Sequence, residues 1–270
     1  MAEYVSKLVV WPQRILYTGH YRGTITFNHI KDTLVVSLGK PACVIDESGE
    51  EVLHSSCVLV PRFFTGHLVL DDCQLVIVSL DVMGYSRDLL LRNYDCKHHD
   101  IGVYYNFSPL DNLLPGFSKL AQLPVDAQAL STRINGLINP HKIEPLRREI
   151  DPRTHQVLKW ARDRREEKLV IGEIAEIIGL SDSRVRHLFK KDMGFSLGQM
   201  LNSLKLLTFI EGFCRYGNMT YAAADAGFSD LSHLNKAMHK TLGLSFTKIL
   251  GGNKQVLMGS YDSARLIARN

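Results

Sequence analysis

Between Ser181 and Lys191 the chain gathers side chains suited to reading a nucleic acid. Ser181-Asp182 stands where a helix start needs a cap, and Arg184, Arg186, His187, Lys190 and Lys191 follow. At 3.6 residues per turn, Val185, Leu188 and Phe189 share one face, the apolar one that must be buried. The opposite face then offers Ser183, Arg186 and His187 outward. The planar fork of Arg186 matches the O6 and N7 acceptors of guanine in a major groove. Arg184, Lys190 and Lys191 suit phosphates, which position a helix without reading sequence.

The same grammar recurs about fifty residues on. Ala175-Glu176-Ile177-Ile178-Gly179-Leu180-Ser181-Asp182 is echoed by Ala223-Ala224-Asp225-Ala226-Gly227-Phe228-Ser229-Asp230, and each run leads into a helix closing on a glycine, Gly194 and Gly243. A small alanine, a turn glycine four residues later and an apolar residue beyond are the steric needs of two crossed helices. In the second copy Leu234, Ala237 and Met238 take the buried role. Leu231, Ser232, Asn235 and Lys236 face outward, with Asn235 suited to adenine and Leu231 to a thymine methyl, and Lys240 is a further phosphate candidate. This copy has one extra residue before its closing glycine and a less basic face. Residues 197–216 between the copies read as one helix of roughly 30 Å, close to the ~34 Å of one DNA turn.

These motifs resemble the AraC/XylS family of bacterial transcriptional regulators over residues 151–250. The resemblance rests on Ile174-Ala175-Glu176-Ile177-Ile178-Gly179-Leu180-Ser181, the run Leu188 to Ser196, Gly227-Phe228-Ser229-Asp230 and Gly243-Leu244-Ser245. It implies base contacts at the outward residues already named. Five departures fall on the linker helix, the second copy and the closing motif: Lys205 for the usual arginine, Ala222 for isoleucine, Met238 for phenylalanine, and Phe246 and Leu250 for the closing motif's proline and arginine.

The rest of the chain must position these helices. Residues 1–140 carry 11 basic and 14 acidic side chains, and residues 141–270 carry 21 and 14, so the net charges are −3 and +7. The basic excess lies wholly in the half with the repeat, where an anionic polymer is the natural partner. Residues 1 to about 108 read as short strands, including 24–27, 34–38, 57–60 and 75–80, with Glu47-Ser48-Gly49-Glu50 as a hairpin turn. From about 110 the period becomes helical. Leu130, Ile134, Leu137 and Ile138 form an apolar face that needs a partner, either the strand domain or a second copy of the chain.

The expected fold is therefore α+β. The family resemblance implies a cupin-like β-barrel or sandwich with a dimerisation helix at 126–139 over residues 1–140, and a linker follows at 141–150. An all-α domain of two helix-turn-helix units covers 151–250, and 251–270 is a polar tail. The family resemblance implies a sensing role for the strand half. Its effector pocket would include His67, unless that is a satisfied interior histidine.

Competing chemistry is weaker. Gly194-Phe195-Ser196-Leu197-Gly198 matches a hydrolase nucleophile elbow, but that motif needs a strand before it, and here a basic helix precedes; Ser196 reads as a cap. Cys96, His98, His99 and Asp100 are metal-ligand types in an exposed polar loop, with the two histidines pointing apart. The expectation is no catalytic residue, no cofactor and no metal. The rival class is a cupin-type metalloenzyme with an accessory DNA-binding module, and a further alternative has the strand domain bind a protein and no small ligand. Five scattered cysteines without a Cys-x-x-Cys pair suggest reduced thiols. With no apolar run of about 20 residues and no leader pattern, the expected location is the cytoplasm, away from membranes. Expected partners are double-stranded DNA, a small effector and RNA polymerase.

Overall fold

The computed structural model describes residues 6–11, 14–123, 126–146, 148–165, 167, 169–243, 255–260 and 263–268. The chain divides into two units, Met1–Leu146 with Met238–Asn270, and Arg147–Ala237.

The first unit is built on strands β1 (Ser6–Trp11), β2 (Arg14–Phe27), β3 (Thr33–Leu38), β4 (Ala42–Ile45), β5 (Glu51–Ser55), β6 (Cys57–Val60), β7 (Gly66–Ser79), β8 (Asp95–His98), β9 (Tyr104–Ser108), β10 (Gln255–Ser260) and β11 (Ser263–Ala268). They form one sheet in the order β11-β10-β1-β2-β7-β3-β6-β9-β8, with the β4–β5 hairpin attached to β7. The two 14-residue strands β2 and β7 organise it. Their pairing shifts register between Tyr21 and Gly23, opposite Asp72 at φ 43, and such an irregularity bends a strand pair. On one side of the bend β7 pairs with β3, and on the other with β4. At the expected hairpin turn, Asp46 accepts hydrogen bonds from the backbone N–H groups of Ser48 and Glu50.

Helices α1 (Tyr85–Asn93), α2 (Leu110–Gln122) and α3 (Ala127–Ile138) cover one face of the sheet. Val9, Leu16, Leu34, Leu59, Val76 and Val78 pack there with Leu113, Phe117, Leu130 and Ile134 in one apolar core. Lys7, buried in this unit, donates to the carbonyls of Ala121 and Leu123 at the end of α2, where a cation meets the negative end of the helix dipole.

Three expectations are revised. The apolar face of α3 is spent inside the chain: Leu130 and Ile134 are fully buried in the core, so the partner is the strand domain and this face is not free to form a homodimer through 126–139. Residues 85–93 are helical within the stretch read as strands, because the Asp81 carboxylate accepts from the N–H groups of Tyr85 and Ser86 and fixes the first turn. Residues 255–260 and 263–268, read as a polar tail, form a hairpin whose first strand runs parallel to β1.

His29 supplies a pH prediction. It is buried, its Nε2 lies 3.3 Å from the Thr26 carbonyl, and its Nδ1 has no hydrogen-bond partner among the described residues. Burial pushes its pKa down to about 4, below the ordinary 6.5. As pH falls through that window the unfolded chain takes a proton that the folded chain refuses, so stability is lost on acidification. Urea unfolding at pH 7 and pH 5 should show a smaller loss for His29→Gln than for the wild type.

The second unit contains α4 (Pro152–Asp163), α5 (Ile171–Ile177), α6 (Asp182–Met193), α7 (Leu197–Tyr216), α8 (Met219–Asp225) and the first two turns of α9 (Leu231–Leu242). Among the described residues no helix is long and apolar enough to cross a membrane. None of the five cysteines is joined in a disulfide.

Candidate nucleic-acid interface

The two turns have the same hydrogen-bond geometry. Leu180 N–H donates to Ala175 O and Gly179 N–H to Glu176 O, while Phe228 N–H donates to Ala223 O and Gly227 N–H to Ala224 O. Gly179 at φ 66 and Gly227 at φ 75 occupy the left-handed conformation that ends a helix and that a side chain disfavours. Ala175, Ala222 and Ala223 are buried where the paired helices cross.

Behind α6, Val185, Phe189 and Met193 are fully buried, and the Phe189 and Phe195 rings meet edge to face at 5.7 Å. Leu188 is half-buried, at the margin of the face the sequence assigned it to. Asp192 ties this helix to α4: its carboxylate accepts from Thr154 Oγ1 at 2.6 Å and from Asp151 N–H at 3.0 Å. The Arg153 guanidinium beside Asp151 holds that carboxyl down to about 2. Ser181 sits at the N-cap, but its hydroxyl contacts Ser183 Oγ rather than a backbone N–H. In the second unit the cap is Asp230, which accepts from His233 N–H at 2.7 Å.

Ser183, Arg184, Arg186, His187, Lys190 and Lys191 are all exposed, on the side of α6 away from its buried stripe. Among the described residues no salt bridge holds any of these cations. Ser183, Arg184, His187 and Lys191 line an open concavity of about 640 Å³ with Leu180 and Arg153. Arg153 was not marked by the sequence reading; a register across two helices, with no local motif, brings it there.

On α9 Leu234, Ala237 and Met238 are buried, and Leu231, Ser232, Lys236 and Lys240 are exposed. Asn235 departs from the expected outward position: it is half-buried, and its Oδ1 is buried with no hydrogen-bond partner among the described residues. One turn beyond Leu231, that side chain is drawn in along the buried stripe.

Helix α7 runs 20 residues from a capping box in which Ser196 and Gln199 exchange hydrogen bonds, which gives Ser196 its role as a cap. At that 20-residue length α7 spans about 30 Å. It also braces both helix-turn-helix copies. Glu211 pairs with Arg165 at 3.0 Å, both mostly buried, and Lys205 Nζ donates to Gly227 O at 3.1 Å, in the second turn. Lysine in place of arginine thus still clamps the turn. The lean core at Ala222 is closed by helix approach, since a Cβ placed on Gly212 would meet the Ala222 Cβ at 3.5 Å. Phe246 and Leu250 lie outside the described residues.

His67 lies on the face of β7 opposite to its inward residues Leu68 and Leu70, with Nδ1 3.2 Å from Thr26 Oγ1. Strand alternation sets it on the face opposite those two leucines, where it is half-buried. Cys96 and His98 fall on β8, where the His98 ring packs on Tyr104 at 4.6 Å.

Fold and site define a strand-rich unit carried in one chain with a double helix-turn-helix unit. Residues 174–251 match the family described as a helix-turn-helix domain. Over 61 residues the chain is 38% identical to the multiple antibiotic resistance protein MarA of Salmonella typhimurium and of Escherichia coli, covering 22% of this chain and 48% of MarA. The chain thus spans about half the length of the relatives it matches. In fold it is similar to ToxT from Vibrio cholerae, as an apo variant (TM-score 0.53, 9% identity, 88% of this chain and 97% of that one) and in a second crystal form (0.51, 12%, 88% and 98%). Residues 174–251 are accordingly a helix-turn-helix domain.

Proposed function

We propose that this protein is a sequence-specific DNA-binding transcriptional regulator of the AraC/XylS type, with α6 as its principal reading helix and α9 as the second. The observation that carries this is the exposed basic face of α6, in no salt bridge among the described residues, held on a helix pair whose turn is repeated 48 residues later. Arg186 reads guanine, Ser183 and His187 flank it, and Leu231, Ser232 and Lys236 make the base contacts of α9. Asn235 contributes only through the part of its side chain left open. Arg184, Lys190, Lys191 and Lys240 meet phosphates, and α7 sets the spacing that lets both helices enter successive major grooves. Control of binding is assigned to the strand unit, as the family resemblance implies.

Arg186→Ala should cost about 1–3 kcal/mol on the preferred site, roughly 5- to 150-fold in Kd, and relax base choice at one position. Binding titrations on the selected site and on single-base variants of it measure this. Equal weakening on every sequence would contradict base reading by Arg186.

A further inference from the structure

A group of potential metal ligands lies outside the helices, on the β4–β5 hairpin. Cys43 Sγ, a Glu51 carboxylate oxygen and a His54 ring nitrogen all lie within 4.8 Å of one another, the one such grouping of histidine, cysteine and acidic side chains among the described residues. Strand register explains why. Cys43 pairs with His54 and Ile45 with Glu51, so Val52 is an extra residue opposite a partner strand that has none. Glu51 and His54 are three apart and would point to opposite faces of a regular strand. The bulge puts both on the face of Cys43.

The hairpin is anchored on one side by β7, where Cys43 pairs with Val69. Cys43 is 8% exposed and its neighbours Ala42 and Val44 are buried, so the sulfur sits on a fixed strand. Glu51 and His54 are exposed and free to turn toward it. Ligand atoms around a tetrahedral zinc ion stand about 3.4 Å apart, given bonds of roughly 2.0–2.3 Å. Small side-chain rotations of Glu51 and His54 bring the three atoms to that spacing.

We propose that Cys43, Glu51 and His54 form a binding site for one divalent transition-metal ion of the zinc class, with solvent as the fourth ligand. A thiolate and a carboxylate together cancel the charge of a divalent cation, and neutral imidazole completes the set. One soft, one borderline and one hard donor suit zinc or cobalt and disfavour calcium or magnesium, which take oxygen ligands. Binding would cross-link β4 to β5 at the open end of the hairpin. This site is independent of the DNA-reading helices.

Titration of the full-length protein with Co²⁺, and with Zn²⁺ in competition with a chromophoric chelator, tests it. The expected result is one ion per chain, with a thiolate-to-cobalt charge-transfer absorption that Cys43→Ser abolishes. His54→Ala and Glu51→Gln alter exposed positions, so the fold should persist. Each should weaken binding at least about tenfold, the loss that even outer-shell partners of a metal produce. Cys96→Ser should bind as the wild type does. Absence of stoichiometric binding, or a cobalt absorption unchanged in Cys43→Ser, would overturn the proposal.

Discussion

Raising monovalent salt from 50 to 200 mM should weaken DNA binding by about 150-fold. Each neutralised phosphate contributes about −0.9 to the slope of log K against log salt, so four contacts from Arg184, Lys190, Lys191 and Lys240 give about −3.6. Those four side chains are exposed, and no salt bridge among the described residues competes for them. The slope should fall by about one in Lys190→Ala, with little change in site preference, because a phosphate contact carries no base information. Fluorescence anisotropy across a salt series reads both. A flat salt response would remove the electrostatic part of the account.

Phe189→Ala should destabilise the helical unit by about 3–5 kcal/mol, the usual cost of deleting a buried phenyl ring and leaving its cavity. Phe189 is fully buried, packs edge to face on Phe195, and shares its stripe with Val185 and Met193. A unit spanning Arg147–Ala237 has only about 5–14 kcal/mol to lose at 0.05–0.15 kcal/mol per residue, so roughly a fifth or more of its stability is at stake. Ile177→Ala, on a side chain 63% exposed, is the control and should change little. Calorimetry of the two variants against the wild type decides it. A loss below about 1 kcal/mol for Phe189→Ala would mean that α6 is not held by this core.

These two effects separate what holds the reading face from what the face does. The ring fixes the helix, and the cations on its far side then meet DNA already placed. Arg186 depends on both.

Much of the helical unit was legible because its requirements are local. Gly179 and Gly227 adopt the left-handed conformation that their place in the motif demands, and Val185 and Phe189 are buried as the 3.6-residue period dictates. The outward position of Arg186 follows from the same period. What escaped the sequence depends on distant partners. Strand β10 finds its place only beside β1, some 250 residues away, and nothing within 251–270 announces that pairing. The apolar face of α3 was legible but its partner was not, since a sheet and a second helix cover the same stripe equally well. Asn235 turned half inward for a comparable reason: a boundary position on α9 is settled by what packs beside it.

The strand unit shows the same division. Along their strands Ile25, Phe27, Leu68 and Leu70 are buried between less buried neighbours. The surroundings of His67 were decided by register, which sets it beside Thr26 on the neighbouring strand. The grouping of Cys43 with Glu51 and His54 has no spacing signature at all, because one bulged residue creates it.

The central claim is that one chain reads two sequence elements one turn of DNA apart, led by α6. Footprinting on a site selected from random DNA, with wild type and Arg186→Ala side by side, tests it most directly. The account predicts two protected major-groove segments about 10 base pairs apart on one side of the duplex, with Arg186→Ala losing base preference in one segment only. A single protected segment, or protection without sequence preference in the wild type, would contradict it.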